Sequence, residues 1–239
     1  MSERRNGSLS RYLQIDADEK PDPVAPDLRR ATHQLVGGEI SELGQYRREH
    51  DMRILIGGVA CVGKTSTGAQ LAGLLKWQFF DLDAETERFF GTSIERLQNS
   101  HFAPHEFRRQ VAMALQHVLS LENSRDCVIA LPPRGLMGPC WSVIKKMQDA
   151  VIVVLDDTPE NILERITFYD IDSRKIEKVL TEDKRRRYLR EIKGDITYFK
   201  RSWRNAHLIV DISGCAAEGA ARKVMHSLPP NALGRSTLE

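Results

Sequence analysis

Met52-Arg53-Ile54-Leu55-Ile56, followed by Gly57 and then by Gly58-Val59-Ala60-Cys61-Val62-Gly63-Lys64-Thr65, is the stretch on which the fold turns. A short apolar run of this kind reads as a buried strand, and the segment 65–75 behind the glycines reads as a helix. Between them stands a complete G-x-x-x-x-G-K-[ST] pattern. Glycines let successive backbone N–H groups turn inward around an anion, and the helix N-terminus adds its partial positive charge. Lys64 would reach the β- and γ-phosphates of a nucleotide, and the Thr65 hydroxyl would hold Mg²⁺. An incidental glycine turn would need neither the strand before it nor the helix after it. The segment therefore points to a nucleoside triphosphate, with Gly58, Val59, Ala60, Cys61, Val62, Gly63, Lys64, Thr65 and Ser66 as its contacts.

Outward from the loop, short apolar runs alternate with helical stretches. Strands are predicted over 78–82, 127–131, 151–155 and 207–212, and helices over 94–97, 106–121, 160–166, 182–192 and 216–227. Strands alternating with helices imply an α/β domain whose parallel sheet is covered on both faces. That domain is expected over 51–228. Ahead of it, residues 1–50 are polar, with Pro21, Pro23 and Pro26 close together and one short amphipathic helix suggested by Leu35, Ile40, Leu43 and Tyr46. Most of such a segment buries too little apolar surface to offset its ordering entropy. Pro229 and Pro230 stop the last helix and open a tail, 229–239.

Composition narrows the classes of function. Lys and Arg number 35 against 33 Asp and Glu, so a net charge of +2 gives no electrostatic ground for nucleic-acid binding. No apolar run approaches the ~20 residues that span a bilayer, and the N-terminus lacks the apolar core of a secretory signal. Four scattered cysteines without zinc-ligand spacing read as reduced thiols of a cytoplasmic protein. The base-reading N-K-x-D of a GTPase is absent, and Asp156-Asp157 reads as a solvated turn rather than the acidic pair of a large ATPase. A small-molecule kinase fits best.

Phe80-Asp81-Leu82-Asp83 closes the second predicted strand. Alternation along a strand puts Asp81 and Asp83 on one side, at the carboxyl end where ligands of such sheets bind. One carboxylate would hold Mg²⁺ and the other would orient an acceptor hydroxyl and receive its proton. Asp83, just ahead of Ala84-Glu85-Thr86-Glu87, is equally suited to cap a helix.

GVACVGKT, FFDLDAETERFFGTSIERL and HEFRRQVAMAL, in this order and spacing, resemble the shikimate kinase family. The resemblance covers about 52–227 and is firmest up to Leu121. It implies a P-loop kinase three-layer sandwich: a five-stranded parallel sheet of order 2-3-1-4-5, helices on both faces and a mobile lid. It also implies transfer of the ATP γ-phosphoryl group to a hydroxyl of a carboxylated ring. Carried onto this sequence, Lys64 and Asp83 would be catalytic, with Asp83 also holding the acceptor hydroxyls. Asp81 and Thr65 would serve Mg²⁺, and Arg108 would pair with the acceptor carboxylate through its planar fork.

Two departures stand out. Where the family has three consecutive glycines, this chain has Leu131-Pro132-Pro133-Arg134-Gly135, so two N–H donors are lost and Arg134 brings a cation beside the acceptor pocket or points to solvent. The two prolines predict an extended course for 131–135. In the lid, Ser173-Arg174-Lys175 stands where the family carries R-P-L, leaving Arg174 as a candidate catalytic arginine or as part of a solvated basic run. Arg201 or Arg204 could replace a second acceptor arginine. The sequence thus describes a monomeric kinase that uses ATP, Mg²⁺ and a small anionic acceptor. Alternatives are a kinase of another hydroxy acid such as a sugar acid, or a nucleotide-binding sensor that keeps the fold without turnover.

Overall fold

The computed structural model describes residues 52–100, 104–177 and 179–230. The expected N-terminal helix, the segment 1–50 and most of the tail lie outside the described residues. Apolar runs become strands β1 (Arg53–Gly57), β2 (Gln78–Asp81), β3 (Cys127–Ala130), β4 (Ala150–Asp156) and β7 (Leu208–Asp211), paired in the order β2-β3-β1-β4-β7. All four pairings are parallel, with Ile54 opposite Val128 on one side and Val151 on the other. This is the order expected from the resemblance, with β7 as the fifth strand. Ile54, Leu55, Ile56, Val128, Ile129, Val153 and Leu155 are fully buried, which fits central strands covered on both faces.

Helix α1 (Lys64–Leu75) follows the glycine loop, and α8 (Ala217–Ser227), starting one residue later than predicted, packs on it. Helices α2 (Leu82–Phe90), α3 (Ile94–Asn99), α4 (Pro104–Ser120) and α5 (Gly138–Ile144) follow, with α4 packed on α2 and α5. Helices α6 (Pro159–Glu164) and α7 (Glu182–Phe199) pack on each other. Helix α7 runs two turns beyond its predicted end, because Ile192, Asp195 and Phe199 continue its buried stripe. Between α6 and α7, β5 (Phe168–Tyr169) and β6 (Lys175–Ile176) form a small antiparallel hairpin.

The region 131–135 corrects an expectation. Gly135 N–H donates to the Pro132 carbonyl at 2.8 Å and Met137 N–H to the Arg134 carbonyl at 3.0 Å, so the chain makes two consecutive tight turns. Proline at the second position of such a turn has its φ already set, so Pro133 favours the turn it was expected to prevent. Gly135 fits because a Cβ there would lie 2.7 Å from the Leu131 Cβ.

Candidate active site

Gly58 leaves β1 with φ +138°, and a Cβ there would lie 2.8 Å from the Leu155 carbonyl oxygen and 2.9 Å from Val62 Cγ1. Cys61 also has positive φ, at 59°, and Gly63 enters α1 at φ 106°. Positive φ at these positions lets the loop turn its backbone N–H groups inward, the conformation that cradles an anion. Lys64 Nζ donates to the Val59 carbonyl at 2.7 Å, folding the side chain back over the loop. Burial holds this ammonium below its ordinary range, opposed by the neighbouring Asp83, Cys61 and Asp81 charges.

Across the cleft, Thr65 Oγ1 donates to Asp81 Oδ2 at 2.5 Å. The other Asp81 oxygen accepts the backbone N–H groups of Asp83 at 3.0 Å and Ala84 at 3.3 Å. The helix cap is therefore Asp81, not Asp83. Strand β2 ends at Asp81, and Asp83 belongs to the first turn of α2, so helix geometry rather than strand alternation places it. Burial, then the Asp81 carboxylate, push Asp83 up to about 7; Lys64 opposes them, while Glu87 and Glu95 add to the rise. Asp83 also raises the buried Cys140 thiol, which burial has already moved towards about 12. Lys64, Thr65, Asp81 and Asp83 thus converge on one cleft at the carboxyl ends of β1 and β2. Thr65 and Asp81 offer oxygen donors of the kind that an oxygen-seeking cation such as Mg²⁺ takes.

The arginines singled out by sequence lie on different elements: Arg108 on α4, Arg134 in the turn after β3 and Arg174 beside β6. Arg108 is half-buried on α4, next to Phe107, which packs on the core. The Arg134 guanidinium carbon lies 5.3 Å from the Tyr198 ring centroid and 5.9 Å from that of Phe199, at the end of α7. Neither of the two orientations expected for Arg134 included this aromatic contact. Arg174 is exposed at the tip of the β5–β6 hairpin, where its N–H bonds Asp170 Oδ1 at 2.9 Å. Arg201 and Arg204 are both exposed.

Asp157 overturns its sequence reading as a solvated turn. Its side chain is fully buried and pairs with Arg165 Nη1 at 2.5 Å. Oδ1 also accepts Thr158 N–H at 2.7 Å and Asn161 Nδ2 at 2.8 Å. Arg165 in turn donates to the Val62 carbonyl of the phosphate loop at 3.2 Å and to the Cys215 carbonyl at 3.4 Å. A buried carboxylate thereby fixes a cation against the back of the loop. An aspartate in a charged stretch gives no sequence sign of burial, which depends on the helix that follows.

The hairpin supplies residues that sequence reasoning passed over. Ser173 Oγ lies within hydrogen-bond reach of Glu87 Oε1 and Glu95 Oε2. Ser93 Oγ donates to the Ile171 carbonyl at 2.6 Å, and Arg96 Nε to Asp172 Oδ1 at 2.8 Å. No spacing rule could have paired positions some eighty residues apart.

Fold and phosphate loop together define a P-loop kinase of the α/β class. The sequence model for "Shikimate kinase" matches residues 60–228, and the chain belongs to the shikimate kinase family, a family of small-molecule kinases. It is 25% identical over 174 residues to the shikimate kinase of Caldanaerobacter subterraneus subsp. tengcongensis, covering 73% of this chain and 94% of that protein. To the shikimate kinase of Pelotomaculum thermopropionicum it is 29% identical over 113 residues, 47% of this chain and 63% of that one. Among solved structures, the Acinetobacter baumannii shikimate kinase in complex with shikimate superposes with a TM-score of 0.59 at 22% identity, covering 80% of this chain and 97% of that one. The Bacteroides thetaiotaomicron enzyme gives the same TM-score at 18% identity, over 73% and 97%. Among the described residues no helix is long and apolar enough to cross a membrane.

Proposed function

We propose that residues 51–228 form the catalytic domain of a phosphotransferase that moves the γ-phosphoryl group of ATP, with Mg²⁺, to a hydroxyl of a small carboxylated metabolite. The observation that carries this reading is the convergence of Lys64, Thr65, Asp81 and Asp83 on a single cleft. When bound, Mg²⁺ would neutralise charge on the phosphate oxygens. Thr65 and Asp81 would hold it, and the loop 58–66 would cradle the phosphates. Lys64 would exchange the Val59 carbonyl for a phosphate oxygen. Asp83, with its carboxyl poised at about 7, would accept the hydroxyl proton of the acceptor. Arg108 would bind the acceptor carboxylate through its fork, and Arg134, steadied by Tyr198, would add a second positive charge. Arg174 would close over the transferring group.

Shikimate is one candidate acceptor. The Pro132–Gly135 turn favours a different hydroxy acid, because two positions there have no N–H to offer an oxygen. The test is ADP release from the purified protein with a panel of hydroxy acids and sugar acids. Acceptor-dependent release supports the reading, whereas tight ATP binding without release under any acceptor replaces it with the nucleotide sensor.

A further inference from the structure

The hairpin bearing Arg174 is tied to the acceptor-side helices by the Ser93–Ile171 and Arg96–Asp172 contacts and by one hydroxyl with two carboxylate neighbours. Ser173 Oγ sits between Glu87 Oε1 on α2 and Glu95 Oε2 on α3. A hydroxyl carries one proton and can donate it to one of them only. Glu87 Oε1 already accepts the Ile94 N–H at 2.8 Å, which orients it as the acceptor of the Ser173 proton. The second oxygen at Ser173 is attractive only if it donates in turn, and that requires the Glu95 carboxyl to keep its proton.

We propose that Ser173 and Glu95 are positioning residues, forming a proton-operated latch that docks the β5–β6 hairpin, and with it Arg174, on the acceptor side of the cleft. The inference rests on the kinase reading for what Arg174 does, but the latch itself is a statement about docking. The surroundings agree with it. Burial raises the Glu95 carboxyl above its ordinary range; hydrogen bonding at Ser173 and to its own backbone N–H opposes that rise, and the Glu87 and Asp170 charges reinforce it. Asp83 on α2 also interacts with Glu95, as does Tyr169 on the hairpin, whose phenol burial pushes up. The nearest cation on α3, Arg96, is engaged with Asp172. Releasing the hairpin returns Glu95 to water and to an ordinary carboxylate pKa.

The sign follows from linkage. The docked state binds a proton that the released state gives up, so docking is strongest below the pKa of released Glu95 and is lost as pH rises through that of docked Glu95. Between those two values the docking constant falls by up to about tenfold per pH unit.

Hydrogen exchange of the full-length protein tests this without any reference to turnover. Amides of 170–176, corrected for intrinsic exchange, should lose protection with rising pH in the wild type. Glu95→Gln keeps a donor without titrating and should hold protection level across the same range. Ser173→Gly suits the left-handed backbone at that position, φ 57°, and should lower protection at every pH. If the kinase reading holds, Glu95→Gln should also remove the fall of kcat at high pH, leaving the rise set by Asp83 and the ATP KM nearly unchanged. Constant wild-type protection, or a Glu95→Gln series that tracks the wild type, overturns the latch whether or not the protein is a kinase.

Discussion

The hydroxyl of Thr65 and the carboxylate of Asp81 meet at 2.5 Å, joining the first turn of α1 to the end of β2. Two residues sixteen positions apart thereby fix the width of the cleft, and Asp81 does so while capping α2. Replacing Asp81 by Ala removes both functions at once. Loss of the cap alone costs about 1 kcal/mol. Asp81→Asn keeps an oxygen for the cap but loses the charge. Asn should therefore unfold within about 1 kcal/mol of wild type in urea while still losing Mg²⁺-dependent activity. Equal stability losses for Ala and Asn would detach the cap from this side chain.

Lys64 makes a comparable division between binding and folding. Its side chain donates to the nearby Val59 carbonyl, five residues back in the same loop, so little of the fold depends on it. Lys64→Ala should leave thermal unfolding nearly unchanged. A lost charged hydrogen bond is worth roughly 1.5–3 kcal/mol, so nucleotide affinity or turnover should fall at least about tenfold. Isothermal titration with ATP and its non-hydrolysable analogue checks the binding part.

These two residues also show how much of the site was legible in sequence. The loop could be read because its spacing is itself the mechanism: glycines must fall where backbone amides turn inward, and Lys and Thr must follow at once. The strand order was likewise accessible once the motifs suggested a family. What stayed hidden depends on which side chains meet once the elements are packed. Asp157 looked like half of a solvated acidic turn, but Arg165, just past the end of α6, pairs with it and it is buried. Arg134 gave no sign that it would stack on Tyr198. Pro132-Pro133 was misread in another way, since proline excludes some hydrogen bonds yet favours the tight turn that Gly135 completes.

The Asp157–Arg165 pair should be among the costliest places to mutate. Asp157 is fully buried with three donors around it, and removing it leaves Arg165 partly buried beside the loop without its counter-charge. Breaking a buried pair by deleting one partner costs about 3–5 kcal/mol. Asp157→Ala should show that loss in urea titration, and the loop should be affected too, since Arg165 holds the Val62 carbonyl. A double variant, Asp157→Ala with Arg165→Met, should recover part of the stability. Additive losses in that cycle would deny the coupling.

Asp83 makes the stability of the metal- and nucleotide-free protein depend on pH. Its carboxyl titrates at about 7 when folded, well above an ordinary aspartate. The folded state therefore holds a proton that the unfolded chain has released. That stabilisation is complete below the unfolded pKa and is lost as pH rises towards 7, at no more than about 1.4 kcal/mol per pH unit. Above that point the profile flattens. Glu95 acts in the same sense, so the informative comparison is with Asp83→Asn, which should have a shallower slope than wild type between about pH 4.5 and 7. Parallel profiles would place the titration elsewhere.

Gly58 offers the most direct test of the loop's geometry. Its φ of +138° is one that L side chains rarely adopt, and a Cβ would press on the Leu155 carbonyl, part of the backbone of strand β4, which is paired on both edges. Gly58→Ala thus combines backbone strain of order 1–3 kcal/mol with a steric clash against rigid backbone. The loop can relieve both only by opening, which carries Val59 and Val62 away from their buried positions. Gly91 provides the control. It too has positive φ, 65°, but a Cβ there meets nothing within 4 Å, so Gly91→Ala should cost only the strain. Gly58→Ala should therefore lower the melting temperature further than Gly91→Ala and should alone abolish nucleotide binding. Equal melting temperatures, with nucleotide binding retained in Gly58→Ala, would mean that the loop does not need this close approach to Leu155.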